Sequence, residues 1–185
     1  MAQGPTYPVK LGVVQDGNDL VVQLLPEANF TGNVNGLNVT VRWNNPSVTL
    51  GNGSWVSTNV ERYVTGFGTG IPGTIGGQVF ENGLMRYRNI YVEHFGPDTL
   101  TQANWVANVA VPLMRIPIQD ANGECVVFDV VQDAFMGSEN DLPADADLRF
   151  AIALKDNVAF RPDQQVGIFG NSIILPLRSV TAGAA

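Results

Sequence analysis

The sequence predicts an all-β fold: an antiparallel β-sandwich of about ten short strands with immunoglobulin-like or jelly-roll topology. Apolar and polar residues alternate with a period of two along most of the chain, as expected for strands that bury one face. Turn-forming residues, including 20 Gly and 11 Pro among 185 residues, separate these segments. No window of about 12 residues has a convincing helical period, although a short helical turn near 141–147 fits the pattern.

Each strand is predicted from its alternation and from the turn signals that bound it. The first two strands flank the turn at 16–19 and form a hairpin. The segment 37–43 alternates most regularly, and its odd-numbered residues, which include Trp43, face the core. Pro112 and Pro117 lack the backbone donor of a ladder and mark an edge or a bulge. The other predicted strands are 47–50, 54–57, 60–66, 84–95, 105–118, 124–131, 148–154 and 172–177.

The length of 185 residues and the mass of 19.9 kDa predict one domain over residues 1–178, followed by a tail or linker remnant at 179–185. A domain of this size hides about 70% of its extended surface, which is enough for a hydrophobic core. A single Cys excludes an intramolecular disulfide. No apolar run reaches the ~18 residues of a membrane span, so we expect no membrane insertion.

The net charge of −7 is confined to one stretch of the chain. Residues 120–163 hold ten of the 17 acidic residues and three of the ten basic residues, so this acidic segment accounts for the whole net charge. The rest of the chain is neutral. An acidic protein without a basic cluster is not suited to phosphate contacts, so we exclude nucleic acid as a partner.

Acidic stretches are candidate Ca²⁺ sites, because Ca²⁺ takes about six to eight oxygen ligands and loops supply them readily. The first candidate offers four carboxylates within nine residues: Glu139, Asp141, Asp145 and Asp147. The second resembles half of an EF-hand loop and comprises Asp120, Asn122 and Glu124. A third is the turn that holds Asp16, Asn18 and Asp19. The alternative for each is a solvated acidic turn, and beyond Ca²⁺ we expect no cofactor.

No set of residues converges on a catalytic centre, so we do not expect an enzyme. The single His, His94, lies at the end of an aromatic strand, and no Gly-x-Ser-x-Gly motif accompanies it. Cys125 lies among acidic and apolar residues, which favours a small core residue over a reactive thiol. One His and one Cys cannot fill a tetrahedral Zn²⁺ site.

Two features are candidates for contact with a ligand or partner. Trp55 follows polar turn residues and is the Trp best suited to an exposed position, with packing over a sheet edge as the alternative. The segment 66–77 contains six Gly in twelve residues, which excludes a helix and predicts a loop. Loops on rigid scaffolds often carry binding. The candidate contact residues in this loop are Gly66, Phe67, Gly70 and Ile71.

A set of strand patterns and turn residues runs over 20–32, 37–43, 105–118, Ala134 with its Asn/Asp-rich sequel, and 147–154. This set resembles a β-sandwich domain of secreted and cell-surface proteins of Bacteroidota that leave the cell by type IX secretion, and more distantly the cohesins. The resemblance implies a non-catalytic module of adhesins, appendages and large surface proteins, and it brings no catalytic residues. Asp98-Thr99-Leu100 resembles the O-glycosylation acceptor of that phylum, which makes Thr99 a candidate glycosylation site.

We therefore expect a non-catalytic extracellular structural or adhesion module that self-assembles as a subunit of a cell-surface appendage or filament. The chain opens without a signal peptide, and its composition, poor in Lys and rich in Asn, Thr and Gly, favours an extracellular or cell-surface location. The expected partners are copies of itself or other surface proteins, or a glycan. Few lysines leave strand edges open to pairing, which suits self-assembly. The alternatives are a carbohydrate-binding module and a jelly-roll shell protein of a virus or phage.

Overall fold

Two stacked β-sheets enclose a single apolar core, which confirms the predicted antiparallel β-sandwich. The computed structural model describes residues 9–64, 79–93, 102–119, 125–130, 135, 151–155, 164–165, 167–171 and 173–175. The predicted helical turn at 141–147 lies outside these ranges. Fourteen strands lie within them, more than the sequence predicted, because several strands have only two or three residues.

The described residues form the following strands in chain order: β1 (Val9–Asp16), β2 (Asp19–Pro26), β3 (Phe30–Trp43), β4 (Thr49–Leu50), β5 (Ser54–Trp55), β6 (Val79–Asn82), β7 (Met85–Glu93), β8 (Ala103–Trp105), β9 (Val111–Gln119), β10 (Val126–Asp129), β11 (Ala151–Lys155), β12 (Gln164–Gln165), β13 (Gly167–Phe169) and β14 (Ile173–Leu175). One helix of the described residues, α1 (Ser57–Tyr63), follows β5.

The strands divide into two sheets that share no strand. Sheet I has six strands in the order β13-β1-β2-β9-β4, with β5 also paired to β9. Sheet II has eight strands in the order β12-β11-β3-β10-β14, and in addition β7 and β8 pair with β3 and β6 pairs with β7. The strand pairs are antiparallel except β1–β13, where β13 lies parallel along the edge of β1. The predicted β1–β2 hairpin is confirmed, with Asp16 opposite Asp19.

The longest strand, β3, contains a β-bulge at Asn35. Its register with β11 shifts there, because the pairing passes directly from Gly36 to Val34. The extra residue turns Val34 and Leu37 toward the same core despite their odd spacing. The sequence analysis began this strand at Leu37 because the alternation breaks at the bulge.

A second bulge, at Leu113 in β9, lies beside a proline. The register between β2 and β9 shifts at this point and leaves Leu113 without a partner residue in β2. Its carbonyl accepts the backbone N–H of Val56 at 2.8 Å. The prediction that Pro112 marks a bulge is confirmed. The same prediction is wrong for Pro117, because β9 has a neighbouring strand on each side. Pro117 belongs to the last residue pair of the β2–β9 ladder, where a missing backbone donor disturbs little.

The prediction of a strand over 60–66 is wrong, because its first four residues belong to α1. A helix of seven residues is too short for a 3.6-residue period to show in the sequence. Tertiary contacts hold it in place: Asn59 Nδ2 donates to the Pro112 carbonyl, and Tyr63 packs on Trp105 with ring centroids 4.4 Å apart. No helix in the described part of the chain is long and apolar enough to cross a membrane.

The core between the sheets is almost entirely apolar. Trp43 is 1% exposed, as predicted, and its indole Nε1 donates to the Val48 carbonyl at 2.9 Å. Burying a large apolar side chain stabilises a fold by about 1.5–3 kcal/mol, so such residues dominate the stability. The largest fully buried side chains are Trp43, Trp105, Tyr87, Leu11, Leu20, Leu24, Ile90, Leu113, Met114 and Ile116.

One buried charged side chain, Arg88 of β7, links sheet II to the β4–β5 connection at sheet I. Its guanidinium donates to the carbonyls of Leu50 and Gly51, the latter at 2.9 Å, and to Asn52 Oδ1 at 2.7 Å. Arg88 is 8% exposed, and this burial lowers the pKa of its guanidinium below the ordinary value. The hydrogen bonds fix the β4–β5 connection against the opposite sheet.

Gly12→Ala should destabilise the fold, because position 12 has no room for a side chain. A Cβ there would lie 2.6 Å from the Phe169 carbonyl oxygen and 2.8 Å from its ring. The oxygen belongs to the backbone of the paired strand β13, so that strand must shift. We expect a loss of about 1–3 kcal/mol in the free energy of unfolding, measured by urea titration. Gly51→Ala is the control, since its nearest obstacle is the flexible Gln119 amide at 3.1 Å. Equal losses in the two variants would contradict the prediction.

Candidate functional site

Trp55, the candidate contact residue, is buried, so the exposed position is wrong and the alternative, packing against the sheet, is the arrangement observed. It is 8% exposed and belongs to the core. Within β5 the alternation turns Ser54 outward and Trp55 inward, opposite Met114 of β9. The polar residues Asn52 and Ser54 that precede Trp55 are exposed. The connection that holds Asn52 is bound by Arg88, and the exposure of these neighbours does not extend to the Trp55 side chain.

Most of the other predicted site residues lie outside the described residues: Gly66, Phe67, Gly70, Ile71, His94, Thr99, Asp120, Asn122, Glu124, Glu139, Asp141, Asp145 and Asp147. Cys125 is described and is exposed, so its prediction as a core residue is wrong. The alternation of β10 explains the difference, because the buried position is the next one, Val126. Within the described ranges, no three His, Cys, Asp or Glu side chains are grouped so that they could hold a metal ion.

The acidic turn between β1 and β2 is an ion-pair site. Arg115 of β9 donates to Asp16 Oδ2 at 2.5 Å and to Asp19 Oδ2 at 3.3 Å. The hydrogen bond to Asp16 is the main cause that raises the pKa of Arg115, with further contributions from the charge of Asp16 and from Asp19. Both carboxylates therefore have a cation from their own chain, which favours the solvated acidic turn over the Ca²⁺ alternative at this position.

The turn that joins β8 to β9 exposes apolar side chains; we name residues 106–110 the valine turn. Val106 is 55% exposed and Val109 is 52% exposed, and Ala110 beside them is also exposed. The Val109 N–H donates to the Val106 carbonyl at 3.2 Å and closes the turn. Asn108 has a φ of 62°, which is the backbone of the third residue of a type II turn.

Two hydrogen bonds that the turn donates to the end of β2 and to the β2–β3 connection hold the valine turn in this shape. The Asn108 N–H donates to the Pro26 carbonyl at 2.7 Å, and the Ala107 N–H donates to Asn29 Oδ1 at 2.7 Å. Surface that is already ordered loses little conformational entropy when it binds. The valine turn is therefore a preorganised apolar surface.

A cluster of aromatic rings lies next to the valine turn. Trp105, the residue before the turn, is 2% exposed, and its Nε1 donates to the Gly32 carbonyl at 2.8 Å. Its ring lies 5.6 Å from Phe30 and 4.4 Å from Tyr63, centroid to centroid. Arg62 lies over Tyr63, 5.5 Å from the ring centre. Phe30 is stacked on Trp105 at an interplanar angle of 14°, and Tyr63 is tilted against it at 51°. The residue directly before the turn is therefore held by two aromatic neighbours.

The exposed residues around the valine turn are mainly polar and uncharged, with the charged side chains of Glu27 and Arg62 also exposed close by. Asn29, Thr31, Asn104 and Asn108 are all exposed. Thr31 Oγ1 donates to Asn104 Oδ1 at 3.0 Å. An apolar centre with a polar rim is the usual anatomy of a protein–protein contact. What this arrangement offers chemically is apolar area surrounded by hydrogen-bonding groups.

A second exposed apolar feature is the hairpin of β6 and β7. Leu84 at its tip is 79% exposed, and Val79 on β6 is 41% exposed. The hairpin and the valine turn lie at opposite ends of β3, because Trp43 pairs with the start of β7 whereas Phe30 pairs with Trp105. The hairpin therefore provides an exposed apolar residue remote from the valine turn.

The sequence analysis missed the valine turn because it placed these residues inside one strand over 105–118. The available signal was Asn108, a residue type that tolerates positive φ and favours turns. The apolar residues around it continued the strand pattern and hid the break. No protein-family profile, curated protein or solved structure matches the chain.

Asn108→Ala should weaken the valine turn, because alanine resists the positive φ of 62°. A left-handed conformation disfavours a residue with Cβ by roughly 1–2 kcal/mol, and Asn tolerates it better than Ala does. We expect a loss of about 1 kcal/mol in stability, measured by thermal unfolding. Asn108→Gly should be near neutral, since glycine adopts positive φ freely. An alanine variant as stable as the glycine variant would refute this account of the turn.

Proposed function

We propose that this protein is a non-catalytic extracellular structural or adhesion module that acts through surface contact, with a second copy of the chain as its first partner. The observation that carries the proposal is the valine turn, where two valines more than half exposed stand on a hydrogen-bonded turn. A loop that serves only as a connection gains nothing from exposing them. The hydrophobic effect instead favours covering such residues with a partner.

The charge distribution also supports contact between copies. Several exposed charges pair within the chain: Lys10 Nζ lies 2.5 Å from Glu27 Oε1, and Arg86 pairs with Glu81. Arg115 is likewise paired with both carboxylates of the β1–β2 turn. Charges neutralised in this way do not repel a second copy at short range. A second copy can therefore approach these paired positions with little like-charge repulsion, because the net charge of −7 belongs to the acidic segment 120–163.

The resemblance to type IX secretion substrates of Bacteroidota belongs to the same proposal. It supplies the extracellular location and the adhesin or appendage context. A carbohydrate platform is less well supported, because the three Trp side chains are 1%, 8% and 2% exposed and their faces are not open to a sugar. Contact between proteins is therefore the function that we favour.

Replacing both valines of the turn by serine (Val106→Ser with Val109→Ser) should weaken self-association without unfolding the protein. Burying a valine contributes about 1.5 kcal/mol, and about 1.4 kcal/mol is a tenfold change in Kd. We expect at least a tenfold rise in the self-association Kd, measured by sedimentation velocity over a concentration series. Both side chains are exposed, so the thermal midpoint should stay nearly unchanged.

Leu84→Ser is the matched control, because it removes a more exposed apolar side chain at the other end of β3. It should leave self-association through the valine turn unchanged. A wild-type protein that stays monomeric at high concentration would contradict the choice of a second copy as partner. Equal weakening in the control and in the valine variant would show that the turn has no special role.

A further inference from the structure

We propose that Asn52 is a site of intramolecular deamidation promoted by Arg88, which converts an amide partner of that arginine into a carboxylate. Asn52 is exposed and is followed by Gly53. Its side-chain Oδ1 accepts a hydrogen bond from Arg88 Nη2 at 2.7 Å. This inference concerns the β4–β5 connection and is independent of the valine turn.

The reaction needs only the chain and water. The backbone nitrogen of Gly53 attacks Cγ of Asn52 and forms a new C–N bond in a five-membered ring. The bond from Cγ to the side-chain nitrogen breaks, and ammonia leaves with the proton that the Gly53 nitrogen loses. Water then opens the cyclic imide and leaves aspartate or isoaspartate. Gly53 has no side chain to obstruct the attack, and the exposure of Asn52 admits the water.

Arg88 is placed to stabilise the charge that this attack creates. The tetrahedral intermediate concentrates negative charge on Oδ1, the atom to which Nη2 already donates at 2.7 Å. Donors held about 2.7–3.1 Å from a developing oxyanion stabilise it most when they need not reorganise. The Leu50 and Gly51 carbonyls hold the other guanidinium nitrogen in place, so the donor is preorganised.

The product is stabilised by the same contact. A carboxylate at position 52 would form an ion pair with the guanidinium, an attraction that the neutral amide lacks. Arg88 is 8% exposed, so water screens this attraction weakly. Deamidation elsewhere on an exposed surface brings no comparable gain, because a new carboxylate there remains fully solvated.

The wild-type chain contains its own reference, the Asn82-Gly83 pair in the exposed β6–β7 turn. Full-length protein is incubated at neutral pH, folded or in denaturing urea, and peptide mapping by mass spectrometry measures the loss of each amide over time. In the folded protein we expect Asn52 to react at least about tenfold faster than Asn82, a modest share of the 10²–10³ that one oxyanion donor supplies in enzymes. In urea the two rates should agree. A slower loss at Asn52 in the folded protein than in urea would overturn the proposal.

Two variants separate the chemistry from the fold. Arg88→Gln should lower the deamidation rate of Asn52 and leave that of Asn82 unchanged. An unchanged Asn52 rate would overturn the role of Arg88.

Asn52→Asp imitates the product and should raise the thermal midpoint at neutral pH. Arg88 holds the carboxylate charged when folded, so the gain is present above the unfolded value of ~3.9 and is lost as the pH falls below it. A variant less stable than the wild type at pH 7 would overturn the assigned product contact.

Discussion

Burial of both faces of β3 over residues 36–41 is the constraint on which the rest of the fold depends. Its inner face is apolar and joins the core, but its outer face is buried too, although it carries Asn38 and Thr40. A strand with two buried faces needs other parts of the chain packed on each face. Sheet I covers the inner side, and Phe135 covers part of the outer side by packing on Tyr87 of the adjacent β7, with ring centroids 4.7 Å apart. Four strands pair along β3, so its position sets the frame of sheet II.

The two sheets are joined by apolar packing over most of their area and by one polar link at the β4–β5 connection. Arg88 occupies a position opposite Val41 on the inner side of β7 and donates to the backbone carbonyls of Leu50 and Gly51. A buried charge is tolerated only where hydrogen bonds compensate its lost hydration. The same guanidinium that stabilises the connection also polarises the Asn52 amide, so a structural contact and a chemical consequence arise from one side chain.

The period-two alternation and the turn residues between strands were enough to predict the fold class, the first hairpin and the burial of Trp43, because all three follow from local sequence. It failed where tertiary structure breaks the period. The bulge at Asn35 hid the first half of β3, and α1 is held by contacts from β9 that no local pattern encodes. An exposed position was predicted for Trp55 because its neighbours are polar. Those neighbours belong to the short β4–β5 connection, and the Trp55 side chain turns into the core. The valine turn was missed for the opposite reason, because its apolar residues fitted the pattern of a buried strand.

The valine turn gains its significance from the contrast with the rest of the described surface. Lys10, Arg86 and Arg115 pair with Glu27 in the β2–β3 connection, Glu81 in β6 and Asp16 in β1, respectively. These ion pairs are locally neutral, whereas the net charge of −7 lies in the acidic segment 120–163. Paired charges contribute little to steering at these positions, so short-range complementarity selects the partner there. A turn fixed by two hydrogen bonds presents the same pair of valines at every encounter. In a surface of this kind, specificity depends on how rigidly the apolar residues are held, which is why the backbone of Asn108 matters as much as the side chains beside it.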